Sequence, residues 1–352
     1  MQGDDTTTTP ADSGHGPLVA AIASSGLPAT AALNAILGLL GAALAITALS
    51  LGRDLIVPLV LAVLLAFVLA PIVLVLRRAR TLAGLATATE TILWRHAARG
   101  PVSGFLWAPE LHLIEGRWII YVAAGGSGPD VWRIRTWALA CEGADPMTGT
   151  WSLLGQLETP WDTFNLDATS FVHRGTRYLA WAQQEPGIAT NSNLYLAPLA
   201  TPLTLAARPV RLSVPELDWE TRGYKVNEAP AVLARHGRLF MTYSASATDA
   251  RYCLGMLTAR DDADPMAAGA WTKSPTPVMA SSPDHRVYGP GHNSFTVDAH
   301  GRDMLVFHAR DYEAIKGDPL FDPNRHTRVQ PIVYRADGTP VFDPPVANGP
   351  LR

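Results

Sequence analysis

Asp167-Ala-Thr-Ser-Phe-Val-His-Arg-Gly-Thr-Arg-Tyr-Leu-Ala-Trp-Ala182 reads as a short strand, a glycine turn and a second strand of aromatic and aliphatic residues. That is the signature of a β-hairpin. The pattern recurs at Ala108–Ala124, Glu228–Ala245 and His292–Ala309. The turn glycines, Gly116, Gly175, Gly237 and Gly301, stand 59, 62 and 64 residues apart. A period near 60 built from antiparallel strands predicts propeller blades, each a small sheet packed against its neighbours around a central channel. Further strands follow three of the hairpins, at Asn193–Ala197, Cys253–Leu257 and Val329–Tyr334. Residues 90–352 at this period give about four blades. A β-sandwich is the competing all-β arrangement; a parallel β-helix is excluded by the length of the repeat.

Composition narrows the function. The chain has 352 residues and a net charge of −3. No basic stripe with interleaved aromatics occurs, so no nucleic-acid partner is expected. Two cysteines, Cys141 and Cys253, make no disulfide framework and read as half-buried thiols.

Before residue 90 the texture differs. Residues 1–32 are small and polar and read as a disordered tail. Two apolar runs follow, Leu33–Leu51 and Leu55–Leu76, the second without a polar residue. As helices they would be roughly 28 and 33 Å long, near the thickness of a bilayer core. Arg77, Arg78 and Arg80 close the second run. The expectation is a transmembrane hairpin over 33–80, inserted through 33–76, that anchors a β-domain over 81–352 on the cytoplasmic side. A signal peptide fits less well, because no basic segment precedes the first run.

In a propeller the first strand of each blade lines the channel. Counted back from the turn glycine, Asp167 stands eight residues before Gly175, Glu228 nine before Gly237, and His292 nine before Gly301. Asp, Glu and His from successive blades are therefore expected at one mouth. Converging carboxyls suit glycosidic cleavage: one protonates the leaving oxygen, and a neighbouring charge raises its pKa. Each residue also has a plain reading. An acid opening a strand serves as a turn or cap, and a His after Gly-Pro-Gly serves packing.

Five ordered motifs add a resemblance: Trp107-Ala-Pro-Glu110, Asn165-Leu-Asp-Ala-Thr169, Val226-Asn-Glu-Ala-Pro230, Gly289-Pro-Gly-His-Asn-Ser294 and Gly317-Asp-Pro-Leu-Phe-Asp-Pro-Asn-Arg-His326. From about residue 82 to 345 the chain resembles the family-43 glycoside hydrolases, inverting enzymes on a five-bladed β-propeller that include α-L-arabinofuranosidases and β-xylosidases. The resemblance implies an arabinose- or xylose-containing oligo- or polysaccharide substrate and no cofactor for the chemistry. It implies Glu228 as general acid and Asp167 as the carboxylate that tunes and orients it. His292 would lie on the channel axis, where relatives often hold Ca2+ through water. Trp107 and Arg328 are substrate-side candidates, with packing as the alternative for each.

The chain departs from that pattern at the general base. The family carries it as an Asp in the first blade, in an Asp-Pro motif. Here the first blade is expected to be missing, its place taken by the hairpin. The acids ahead of residue 71 are Asp4, Asp5, Asp12 and Asp54, and none precedes a proline. The stretch Leu51–Pro71 weakly resembles the start of the autoinducer-2 exporter family. Three readings follow: a glycoside hydrolase impaired by the absent base, a membrane-tethered propeller that binds sugar without cleaving it, or a transporter fragment fused to an inert passenger.

Overall fold

The computed structural model describes Asn34, Leu37, residues 73–78 and residues 83–349. Residues 71–352 form one compact unit, which carries all the architecture below. Three antiparallel sheets follow the repeat: β3–β6 (Leu106–Ile114, Arg117–Ala124, Arg135–Glu142, Thr150–Gln156), β7–β11 (Asn165–His173, Thr176–Gln183, Asn193–Thr201, Thr204–Leu205, Val210–Ser213) and β12–β15 (Asn227–Arg235, Arg238–Ala245, Cys253–Arg260, Thr272–Lys273). A fourth, β16–β18, joins Tyr288–Val297, Asp303–Arg310 and His326–Pro331. A short pair, β19–β20 (Val333–Tyr334, Pro340–Val341), follows it.

The hairpins are tight for a local reason. Ile114 pairs with Arg117, His173 with Thr176 and Arg235 with Arg238, leaving two-residue loops. Both loop residues have positive φ: 50° and 80° at Glu115-Gly116, 47° and 80° at Arg174-Gly175, 52° and 70° at His236-Gly237. This turn matches the right-handed twist of the strands and needs glycine at its second position.

The sheets stack face to face through apolar clusters. Ile119, Tyr121 and Ala138 of one sheet meet Leu179, Trp181 and Tyr195 of the next. Leu166, Leu194 and Leu196 meet Met241, Tyr243 and Leu257. Phe240, Leu254 and Met256 meet Leu305 and Phe307. Such faces supply the stability, at about 25 cal/mol per Å² of apolar surface removed from water. The result is an all-β, propeller-like arrangement of four blades.

A further sheet stands beside them. β1 (Val73–Arg77) pairs with β2 (Glu90–Arg95), and Leu74, Leu93 and Trp94 pack on the Ile120, Val122 and Leu139 face of β3–β6. This corrects two expectations. The second apolar run does not stay helical through Leu76, because its last residues are held by a strand pairing. Nor is the position beside the first repeat vacant of β-structure, since two strands occupy that face. The remainder of the expected hairpin and the polar tail lie outside the described residues, apart from Asn34 and Leu37, which are helical. Among the described residues no helix is long and apolar enough to cross a membrane.

Candidate active site

All four inner strands carry the same irregularity. Between Trp107 and Glu110, Leu166 and Thr169, Glu228 and Ala231, and Gly291 and Ser294, two residues oppose one on the partner strand. The first residue of each bulge is left-handed: Ala108 (φ 49°), Asp167 (57°), Ala229 (52°) and His292 (43°). A non-glycine residue in that region costs about 1–3 kcal/mol and persists where the fold enforces it. Bulges of this kind re-aim side chains beside active sites. They also refine the register. Asp167 and His292 occupy the left-handed position itself, whereas Glu228 stands one residue ahead of it, level with Trp107 and Leu166.

The bulges open into a cavity of about 1440 Å³. Asp167, Glu228, His292 and Trp107 all line it, together with Glu110, Tyr252, Asn293, His308 and Arg325. Arg328 does not: it is buried in β18, where its Nη1 donates to Asn348 Oδ1 at 2.5 Å. The cationic side chain at the carboxyl end is Arg325, three residues earlier. Its charge bears on Asp167, Glu228 and His292 alike. Glu110 is the other addition. It pairs with His112 at 3.0 Å, and its charge reaches Asp167 and His292. Both residues sat within quoted motifs, Trp107–Glu110 and Gly317–His326, where their residue type was the available signal.

Hydrogen bonds fix the two central carboxyls. The Ala229 amide donates to Asp167 Oδ2 at 3.0 Å, tying one blade to the bulge of the next. The Tyr252 hydroxyl donates to Glu228 Oε1 at 2.7 Å. Tyr252 is itself held, buried and stacked on His308 with centroids 5.8 Å apart. Gly291 makes room for it, because a Cβ there would overlap the Tyr252 ring. The Ser244 hydroxyl accepts from the His292 amide at 2.8 Å.

Burial, and then the charge of Asp167, push the Glu228 carboxyl up to about 7, against the opposing Tyr252 hydrogen bond. Burial likewise lifts Asp167 to about 7, opposed by the Ala229 amide and reinforced by Glu110. Burial lowers both His292 and His308, favouring neutral imidazoles beside the acids. Among the described residues no group of three His, Cys, Asp or Glu side chains could hold a metal ion directly, so the water-held calcium expected near His292 gains no support from protein ligands.

The Asp167 shift has a consequence for stability. The native state keeps a proton that the unfolded chain releases above its ordinary value of 3.8. The associated stability is therefore fully present below about pH 4 and is lost as the pH rises towards about 7. At 1.36 kcal/mol per unit the loss is about 4 kcal/mol. Asn at position 167 keeps an acceptor for the Ala229 amide but carries no charge. Asp167→Asn is expected to melt several degrees above the parent at pH 8 and level with it at pH 4, by scanning calorimetry. A variant that melts no higher at pH 8 would contradict the burial argument.

An α-L-arabinofuranosidase 43 from Humicola insolens is 55% identical over 279 residues, covering 79% of this chain and 58% of that protein. An extracellular exo-α-(1→5)-L-arabinofuranosidase from Streptomyces avermitilis is 53% identical, covering 79% and 58%. The chain thus spans less than two thirds of the length of these two relatives. The crystal structure of an α-L-arabinofuranosidase from Lactobacillus brevis superposes with a TM-score of 0.76 at 50% identity, covering 78% of this chain and 87% of that one.

The extracellular Streptomyces relative overturns the expected membrane-anchored, cytoplasmic placement. The exporter resemblance of residues 51–71 gains no support. Glycosidic cleavage in family 43 rests on carboxyl groups and needs no cofactor. The profile of glycosyl hydrolases family 43 matches residues 72–340, from β1 through all four bulged inner strands, and the chain belongs to that family.

Proposed function

We propose that the cavity is a glycosidase site of the arabinofuranosidase type, taking a terminal arabinofuranosyl unit of an extracellular arabinose-containing glycan and cleaving its bond with inversion. One observation carries the reading. Glu228, held by Tyr252 and lifted to about 7 by burial and Asp167, is a carboxyl that still bears a proton near neutral pH. Such a group protonates the leaving oxygen. Asp167 and Glu228 are both lifted to about 7, so near neutral pH the pair holds on to a proton. With that proton on Glu228, the charge left on Asp167 raises the acid further and offsets positive charge at the anomeric carbon. Arg325 and Trp107 face the same space and are assigned to holding the sugar; Arg328 serves packing.

An inverting site also needs a base about 6.5–9.5 Å from the acid, with water between them. None of the four acids ahead of residue 71 stands in the Asp-Pro motif of that base. We therefore propose slow hydrolysis, with water attacking unassisted. A sugar-binding propeller without turnover remains the second reading, favoured by the same gap.

Substrate choice tests the first reading. Incubated at high concentration with 4-nitrophenyl glycosides, the protein is expected to release nitrophenol from the α-L-arabinofuranoside. Release from the β-D-glucopyranoside should stay at the buffer rate. Equal release from both, or from neither, would remove the arabinofuranosidase assignment.

A further inference from the structure

Two large aromatic rings at or beside the cavity stand exposed: Trp132, which lines it, is 49% accessible, and Phe321, next to the lining residue Leu320, is 66% accessible. Exposed apolar residues occurring singly mean little, but grouped ones mark binding surfaces. These two belong to a group. Phe105 lies 5.0 Å from Trp107, 6.1 Å from Trp132 and 6.3 Å from Phe321, centroid to centroid, and Trp107 lies 6.1 Å from Trp132. Trp107 and Trp132 line the same cavity as Asp167 and Glu228. Phe105 thus joins Phe321 to the two tryptophans that line the cavity, making one aromatic cluster.

The cluster is held in place from two directions. Trp132 sits between β4 and β5, where its amide donates to Asp130 Oδ1 at 3.0 Å. On its far side Ile134 is fully buried, and Arg133 bonds Asp162 at 2.9 Å. Phe321 ends a turn, Pro319–Phe321, capped by the Asp318 carboxylate, which accepts from the Leu320 amide at 2.9 Å. Asp322 beside it is fixed by Tyr312 and Arg310, and the same segment goes on to Arg325 at the carboxyl end. Neither exposed ring is needed to fill a core. The backbone that carries each ring is fixed before a ligand arrives, which lowers the cost of ordering the ring on binding.

We propose that Trp132 and Phe321 bind the sugar units beyond the scissile bond, so that the site takes an arabino-oligosaccharide chain rather than a single sugar with a small leaving group. The inference rests on the functional reading above. Asp167 is buried, whereas Trp132 of the same cavity and Phe321 beside it are exposed. A terminal unit seated at the carboxyls would send its leaving-group chain towards solvent, past these rings. Sugar rings present apolar C–H faces, which stack on aromatic faces and lose water there.

Calorimetric titration with L-arabinose and with α-1,5-linked arabinotriose tests this. The parent protein is expected to bind the triose about tenfold more tightly than arabinose, a difference of about 1.4 kcal/mol. Trp132→Ala should lose about that factor for the triose and nothing for arabinose, with Trp132→Phe retaining most of it. Phe321→Ala should act in the same direction. Circular dichroism of each variant confirms the fold. Triose binding that Trp132→Ala leaves unchanged overturns the proposal alone. A parent that binds neither sugar overturns the functional reading, and this proposal with it.

Discussion

Glu228→Gln is expected to lower cleavage of α-1,5-linked arabinobiose by about 10²–10⁴, the usual contribution of a positioned acid. The same variant should slow cleavage of 4-nitrophenyl α-L-arabinofuranoside by roughly tenfold at most, because nitrophenolate departs without a proton. The contrast between leaving groups is the informative quantity. A sugar alkoxide is a poor leaving group and depends on Glu228 at every turnover. A glutamine keeps an oxygen for the Tyr252 hydroxyl that now donates to Glu228 Oε1 at 2.7 Å, so the fold should survive. Chromatography of released arabinose over long incubations measures the first rate, and absorbance the second. Equal losses on both substrates would point to a binding role for Glu228 instead of proton transfer.

The pH dependence follows from the same group. The acid works protonated, so hydrolysis of arabinobiose by the parent should fall as the pH passes about 7, the value to which burial and Asp167 raise Glu228. That limb should be missing in Glu228→Gln.

Much of this arrangement is legible in the sequence, and the failures have identifiable causes. Gly116, Gly175 and Gly237 announce their hairpins because a two-residue turn with both φ positive admits few other residues. Counting back from the turn glycine places Glu228 level with His292 when Ala229 holds that position. The cause is the fourth hairpin, which closes through five residues between Val297 and Asp303 where the third has two. The bulges themselves are hidden. They insert one residue at the same place in each inner strand, and alternation of period two carries no mark of such an insertion.

Arg325 and Arg328 flank one short segment, and residue type does not say which faces the cavity. That depends on where β18 begins, and pairing through Phe307↔Arg328 settles it. Val73–Leu76 shows a different limit. Four strand residues at the end of a 22-residue apolar run look helical by length alone. Their partner, β2, lies beyond an intervening turn and gives the run no local signature.

The account's central proposal is that Glu228 is a working acid and that no Asp-Pro base ahead of β1 activates the water. Azide tests it directly. Azide arrives already charged and needs no base. It attacks the anomeric carbon from the face opposite the leaving group, the C–O bond breaks, and Glu228 gives its proton to the departing oxygen. Proton NMR of arabinobiose with the parent protein and rising azide should show a rate that climbs with azide and a product of inverted configuration, β-L-arabinofuranosyl azide. About tenfold or more of the 10²–10⁴ attributable to a base should return, and Glu228→Gln should abolish the gain. Free arabinose formed at a rate that azide does not change, with no azide adduct, would contradict the claim.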